Sequence, residues 1–116
     1  MLFVCYPGCS TCAKAQRYLE ERGIEFEIRN IKADRPTLEE LALWQQKSRL
    51  PLRRFFNTSG QKYRELNLSE RLGAMNEPEQ LALLASDGML VKRPLLIDGE
   101  RVLAGFREKE WEEAFR

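Results

Sequence analysis

Two cysteines stand three positions apart in "YPGCSTCAKA", residues 6–15: Cys9 and Cys12. A thiolate, not a thiol, is the nucleophile of cysteine chemistry. If a helix starts near Ser10, Cys9 lies at its N-cap or first turn. Unpaired backbone N–H groups and the positive end of the helix dipole favour a thiolate there. Cys12 follows about one turn later. It can reach back, attack a mixed disulfide on Cys9 and release the product. The chain has no histidine, which excludes a Ser/His/Asp triad, a Cys/His dyad and a histidine metal site. The helix terminus and nearby arginines are the activators left. Two other readings of the pair exist: a zinc half-site, or two thiols buried by chance. Zinc needs two further ligands, and Cys5 is the one remaining cysteine. Cys5 sits inside the apolar run "LFVCY" and reads as a small, inert core residue.

Cations come next. In "KRPLLID", residues 92–98, Arg93 precedes Pro94. A residue before proline is pushed towards extended geometry, and Arg93 can then aim its guanidinium at Cys9. A planar, permanent cation suits a thiolate or a tetrahedral oxyanion. In "PLRRFF", residues 51–56, Arg53 or Arg54 either adds positive potential over the site or forms a solvated basic pair. Lys14 and Arg17 read as the wet face of the first helix.

Elements must hold these residues together. "LFVCY" ends at Pro7-Gly8 and reads as a buried strand. "STCAKAQRYLEERG" reads as a helix with Cys12, Ala15 and Leu19 on one face and Gly23 at its end. "IEFEIRNI" alternates Ile24, Phe26 and Ile28 with polar residues, a half-buried strand. Thr37 and Glu40 have capping-box spacing at the start of a second helix. Residues 48–60 are irregular, and short helical pieces follow through "QKYRELNLSERL". Asn76 and Glu79 open another helix that Gly88 closes. "RPLLIDGERVLAGF" reads as a hairpin turning at Asp98-Gly99, and "REKEWEEAF" as a closing helix. The order β-α-β, helices, β-β-α predicts an α/β, thioredoxin-like fold: a mixed four-stranded sheet flanked by helices, with a helical insertion at about 36–88. In that layout a cis-proline precedes the third strand and faces the redox cysteine, which makes Pro94 the candidate.

The whole chain narrows the function classes. Its 116 residues predict one domain. A net charge of +1 argues against direct nucleic-acid binding. No apolar run approaches the roughly 20 residues of a membrane span, and "MLFVC" is too short for a signal-peptide core. Three cysteines, two of them in one short motif, do not describe a disulfide-stapled secreted domain. The expectation is a cytoplasmic protein, where thiols are kept reduced.

The combination of "YPGCSTCAKA", "LPLRRFFNTSG", "MLVKRPLLID" and "VLAGF" resembles the arsenate reductase-like (ArsC/Spx/MgsR) family within the glutaredoxin/thioredoxin-like superfamily. The resemblance runs over nearly the whole chain. It implies Cys9 as reactive cysteine, with Arg53 matching a middle oxyanion-binding arginine and Arg93 the arginine before proline. Gly105 falls where a third arginine stands in the glutaredoxin-linked reductases, and those enzymes typically lack a cysteine at the position of Cys12. The Spx-like branch carries the C-x-x-C as a redox switch and docks on the α subunit of RNA polymerase. Two functions therefore stay open. One is a thiol-dependent oxidoreductase, with Cys9 as nucleophile, Cys12 as resolving thiol, an oxyanion such as arsenate among its substrates, and glutathione, glutaredoxin or thioredoxin as electron donor. The other is a redox-sensing regulator whose partner is the polymerase α subunit.

Overall fold

The computed structural model describes residues 1–115. Four short strands form one mixed sheet in the order β2-β1-β3-β4. β1 (Leu2–Cys5) runs parallel to β2 (Glu27–Asn30) and antiparallel to β3 (Leu95–Asp98), which pairs antiparallel with β4 (Arg101–Ala104). Helix α1 (Ser10–Glu21) joins β1 to β2. Between β2 and β3 the chain makes α2 (Leu38–Ser48), α3 (Gln61–Glu65), α4 (Leu68–Arg71) and α5 (Glu77–Ser86); α6 (Glu108–Ala114) closes it. No helix among the described residues is long and apolar enough to cross a membrane.

The period-two alternation of the strands sorts two cores. Phe3, Cys5 and Leu96 face Cys12, Ala15, Tyr18 and Leu19 of α1 and Trp111 of α6. Val4, Leu95, Val102 and Ala104 face the other way, towards Leu41 and Trp44 of α2 and Leu84 of α5. Both capping boxes read from sequence are formed: Thr37 with Glu40, and Asn76 with Glu79. α1 ends in a Schellman arrangement. Gly23 N–H donates to the Glu20 carbonyl and Ile24 N–H to that of Leu19, with Gly23 at φ 65°.

Three details differ from expectation. The second strand is only Glu27–Asn30, and Ile28 is 56% exposed. β2 is an edge strand, and the side of Ile28 lies open. The covered side chain there is Arg29, which forks onto Glu40 at 2.6 and 2.8 Å. Gly88 does not cap α5. It starts a 3-10 turn, and a Cβ on it would sit 1.9 Å from the Ile31 carbonyl oxygen, so the glycine serves a close backbone approach. The hairpin loop is Gly99-Glu100, one residue later than expected, because Asp98 pairs with Arg101. Gly99 at φ 59° fits the first central position of a type II′ turn.

Candidate active site

The site is built at the junction of β1 and α1. Tyr6 to Gly8 carry the chain round, the Cys9 N–H donates to the Tyr6 carbonyl at 3.1 Å, and Cys9 becomes the N-cap of α1 in extended geometry. Its half-buried side chain makes no short capping hydrogen bond. The sulfur instead faces the helix start at longer range. Burial pushes the Cys9 thiol up. The N–H of Cys12, the Cys12 thiol, the N–H of Thr11 and the Arg93 guanidinium outweigh it and hold Cys9 below the ordinary cysteine value. This is the dipole argument made local: the orphan N–H groups of the first turn aim at the atom that carries the charge.

Cys12 lies inside, 3% exposed. Burial pushes its thiol up to about 12, and the neighbouring sulfurs of Cys9 and Cys5 add to the rise against a Tyr6 N–H that donates to Cys12 Sγ at 3.4 Å. The two cysteines of the motif are thus split into an ionisable outer sulfur and a proton-holding inner one, as a nucleophile and its resolving thiol require. All three cysteines are free thiols, and Cys5 is buried as expected.

Arg93 directly precedes the cis-proline. Its guanidinium lies 5.4 Å over the Tyr6 ring and donates to the Met89 carbonyl at 3.4 Å, which leaves its other edge for Cys9. The Arg93–Pro94 peptide bond is cis and Pro94 is buried. Arg93 also lines a depression of about 370 Å³ with Lys32, Asn57, Lys62 and Asp87. Tyr6 and Asn57 were not singled out from sequence. Tyr6 had a signal, as the aromatic residue closing β1 beside the motif; Asn57 had none.

No contact of Arg53 with Cys9 or Arg93 is seen among the described residues. Arg53 is exposed and lines a different depression with Tyr63 and Gln80. Its neighbour Arg54 turns towards α6 and pairs with Glu110 at 3.5 Å. Residues 52–55 form a single 3-10 turn that buries Leu52 and Phe55 and leaves Arg53 exposed. Gly105 stands where the resemblance expects a third arginine, in a left-handed conformation that favours glycine. It sits at φ 77°, its N–H donates to the Pro94 carbonyl at 2.8 Å, and a Cβ would fall 2.8 Å from Cε of Lys92. Arg107 is the exposed N-cap of α6 and pairs with Glu110 at 3.6 Å. A larger hollow of about 910 Å³ between α2 and β4 contains no cysteine.

The profile of the ArsC family matches residues 5–114. The chain belongs to the ArsC family. Among its relatives, YusI of Bacillus subtilis is 56% identical over 113 residues, covering 97% of this chain and 96% of YusI. The regulatory protein MgsR of the same bacterium is 30% identical over 110 residues, covering 95% of this chain and 86% of MgsR. A crystal structure of an ArsC family related protein from Bacteroides fragilis superposes with a TM-score of 0.94 at 54% identity, covering 97% of this chain and 94% of that one. Cys9 and Arg93, the residue before the cis-proline, stand at the positions where the resemblance expects a reactive cysteine and an arginine. The chain puts a glycine where the resemblance expects a third arginine.

Proposed function

We propose that the chain is a thiol-dependent oxidoreductase with Cys9 as nucleophile and Cys12 as resolving thiol. The observation that carries this is the split between the sulfurs: Cys9 lowered at a helix start under a guanidinium, Cys12 raised behind it. The Cys9 thiolate attacks one sulfur of a disulfide substrate, and the other sulfur leaves as a thiolate. Arg93 balances the negative charge that gathers between the sulfurs. Cys12 then gives up its proton and attacks Cys9 Sγ. A Cys9–Cys12 disulfide forms and the bound thiol leaves, taking a proton. Glutathione, glutaredoxin or thioredoxin returns two electrons to the pair. An oxyanion such as arsenate fits the same scheme: Cys9 attacks arsenic and an oxygen leaves as water, then Cys12 attacks Cys9 Sγ, the S–As bond breaks and arsenite departs with its electron pair. Arg93 faces that charge and a glycine stands where a third arginine is expected, so we favour disulfides of small thiols as the substrate class.

The test is NADPH consumption with a glutathione mixed disulfide, or arsenate, in the presence of glutaredoxin or thioredoxin and their reductases. Steady turnover that falls at least ~100-fold in Cys9→Ser is expected. Absence of turnover with every donor overturns the enzyme reading. A second reading is favoured by the 30% identity to a regulatory protein. The same disulfide would reshape the surface around Cys9 and control docking on the polymerase α subunit. Capture of that subunit by only one redox form, without turnover, is the result that selects it.

A further inference from the structure

Three thiols, not two, meet at the start of α1. The alternation of β1 sends Phe3 and Cys5 to the sheet face covered by α1 and α6, while Val4 goes to the other. Cys12 opens the α1 stripe that covers this face, ahead of Ala15, Tyr18 and Leu19. Cys5 and Cys12 lie in one buried cluster between the sheet and α1, and Cys9 packs against it. The sulfurs of Cys9 and Cys5 both raise the Cys12 thiol. Cys12 therefore has both other thiols as neighbours, Cys5 buried on the facing strand and Cys9 half-buried at the helix start.

We propose that Cys5 is a third redox thiol that takes over the disulfide from Cys9 and moves it into the core as a Cys5–Cys12 bond. This rests on the reading of Cys9 and Cys12 as a redox pair. A peroxide oxidises the Cys9 thiolate to a sulfenic acid, which condenses with the Cys12 thiol, releasing water and leaving a Cys9–Cys12 disulfide. Cys5 then loses its proton to solvent and attacks Cys12 Sγ. The Cys5–Cys12 bond forms as the Cys9–Cys12 bond breaks, and Cys9 departs as a thiolate. No electrons enter or leave in this second step.

The direction follows from the surroundings. A good leaving thiol is one whose thiolate is stabilised, and Cys9 is the sulfur that faces the N–H groups of the first turn and Arg93. The product disulfide is uncharged and donates nothing, which suits the apolar cluster of Phe3, Leu96 and Trp111 around it. Burial makes the Cys5 thiolate scarce, so the transfer follows the first disulfide slowly. Its consequence is a chain that stores one oxidation internally while its open nucleophile is free for a second electrophile.

The test needs only the intact protein. Reduced chain receives one equivalent of hydrogen peroxide. Samples are stopped at intervals in acidic denaturant containing N-ethylmaleimide, and fragmentation of the N-terminal tryptic peptide locates the single remaining thiol. Label on Cys5 reports the Cys9–Cys12 bond; label on Cys9 reports the transferred one. The label on Cys9 should rise at least about threefold between the first seconds and an hour, the range of protein disulfide reshuffling. Label that stays on Cys5 overturns the role of Cys5 and leaves the Cys9–Cys12 pair intact. Label on all three cysteines overturns both. The Cys5→Ala variant should show no label at any time after oxidation.

Discussion

At the scale of single residues, reactivity is a matter of which state of sulfur each neighbour favours. Cys9 is held below the ordinary cysteine value of about 8.5 because donors outweigh its burial. Its alkylation by iodoacetamide should therefore stay fast to lower pH than that of an ordinary cysteine, falling tenfold per pH unit only below the thiolate midpoint. A midpoint at or above the ordinary value would remove the activated nucleophile. Arg93 supplies one of the lowering contacts and is steadied by the Tyr6 ring and the Met89 carbonyl. Arg93→Ala should move the midpoint up and slow alkylation at neutral pH several-fold, while Arg93→Lys restores only part, since an ammonium lacks the planar fork that spans ring, carbonyl and sulfur. An unchanged midpoint in Arg93→Ala would take the guanidinium out of the site. Cys9, Cys12 and Arg93 were legible in the sequence because their chemistry depends on short spacing and on one proline. The direction of Arg53 could not be read because a basic pair has no period of its own. The apolar residues beside it, Leu52 and Phe55, decided which way the turn faced.

At the scale of elements, the site depends on how the insertion is fastened to the sheet edge. Glu40 does two jobs there: it returns to the Thr37 N–H at 3.0 Å in the capping box and takes both fork nitrogens of Arg29 on β2. The Arg29 hydrogen bonds, against a burial cost, hold its carboxyl at about 2. A depressed carboxylate stabilises the fold above its unfolded value of about 4.3 and loses that contribution as pH falls towards 2. Urea midpoints measured from pH 5 down to 2.5 should fall more steeply for the native chain than for Glu40→Gln. The difference is about 1 kcal/mol, after allowance for solvent around a side chain 34% exposed. Parallel curves would mean the pair holds nothing. Gly88 fastens the other end, where its missing Cβ lets the backbone pass the Ile31 carbonyl at the end of β2. Gly88→Ala should cost about 2–3 kcal/mol in chemical denaturation, since backbone rather than a flexible side chain must give way. The capping boxes could be read from sequence because each is set by residues three apart. The close approach at Gly88 could not, because its partner lies in another element and leaves no local mark.

At the scale of the whole molecule, the element order predicted the sheet because each strand is short and bounded by proline, glycine or charge. The exposure of Ile28 was hidden because it depends on β2 being an edge whose outer side nothing covers. The same layering sets the alkaline limit of the reduced protein. Cys5 and Cys12 are both buried between β1 and α1, and both are raised by that burial, Cys12 to about 12. A thiol raised in the folded state contributes stability that is complete below its unfolded value of about 8.5 and is lost as pH climbs towards the folded one. Cys9 works in the opposite sense: being lowered, it adds stability above the unfolded value and loses it as pH drops through its own midpoint. Two raised thiols oppose one lowered one, so reduced protein should lose stability between about pH 9 and 11. Other groups titrate in the same range, so the comparison that isolates the thiols is between redox forms. Oxidation to either disulfide removes Cys12 from the titration, and the urea midpoint of oxidised protein should fall less steeply over that interval. Equal slopes for the two forms would show that Cys12 ionises as easily in the folded chain as in the unfolded one, and with that the division of labour between the inner and outer sulfur would be gone.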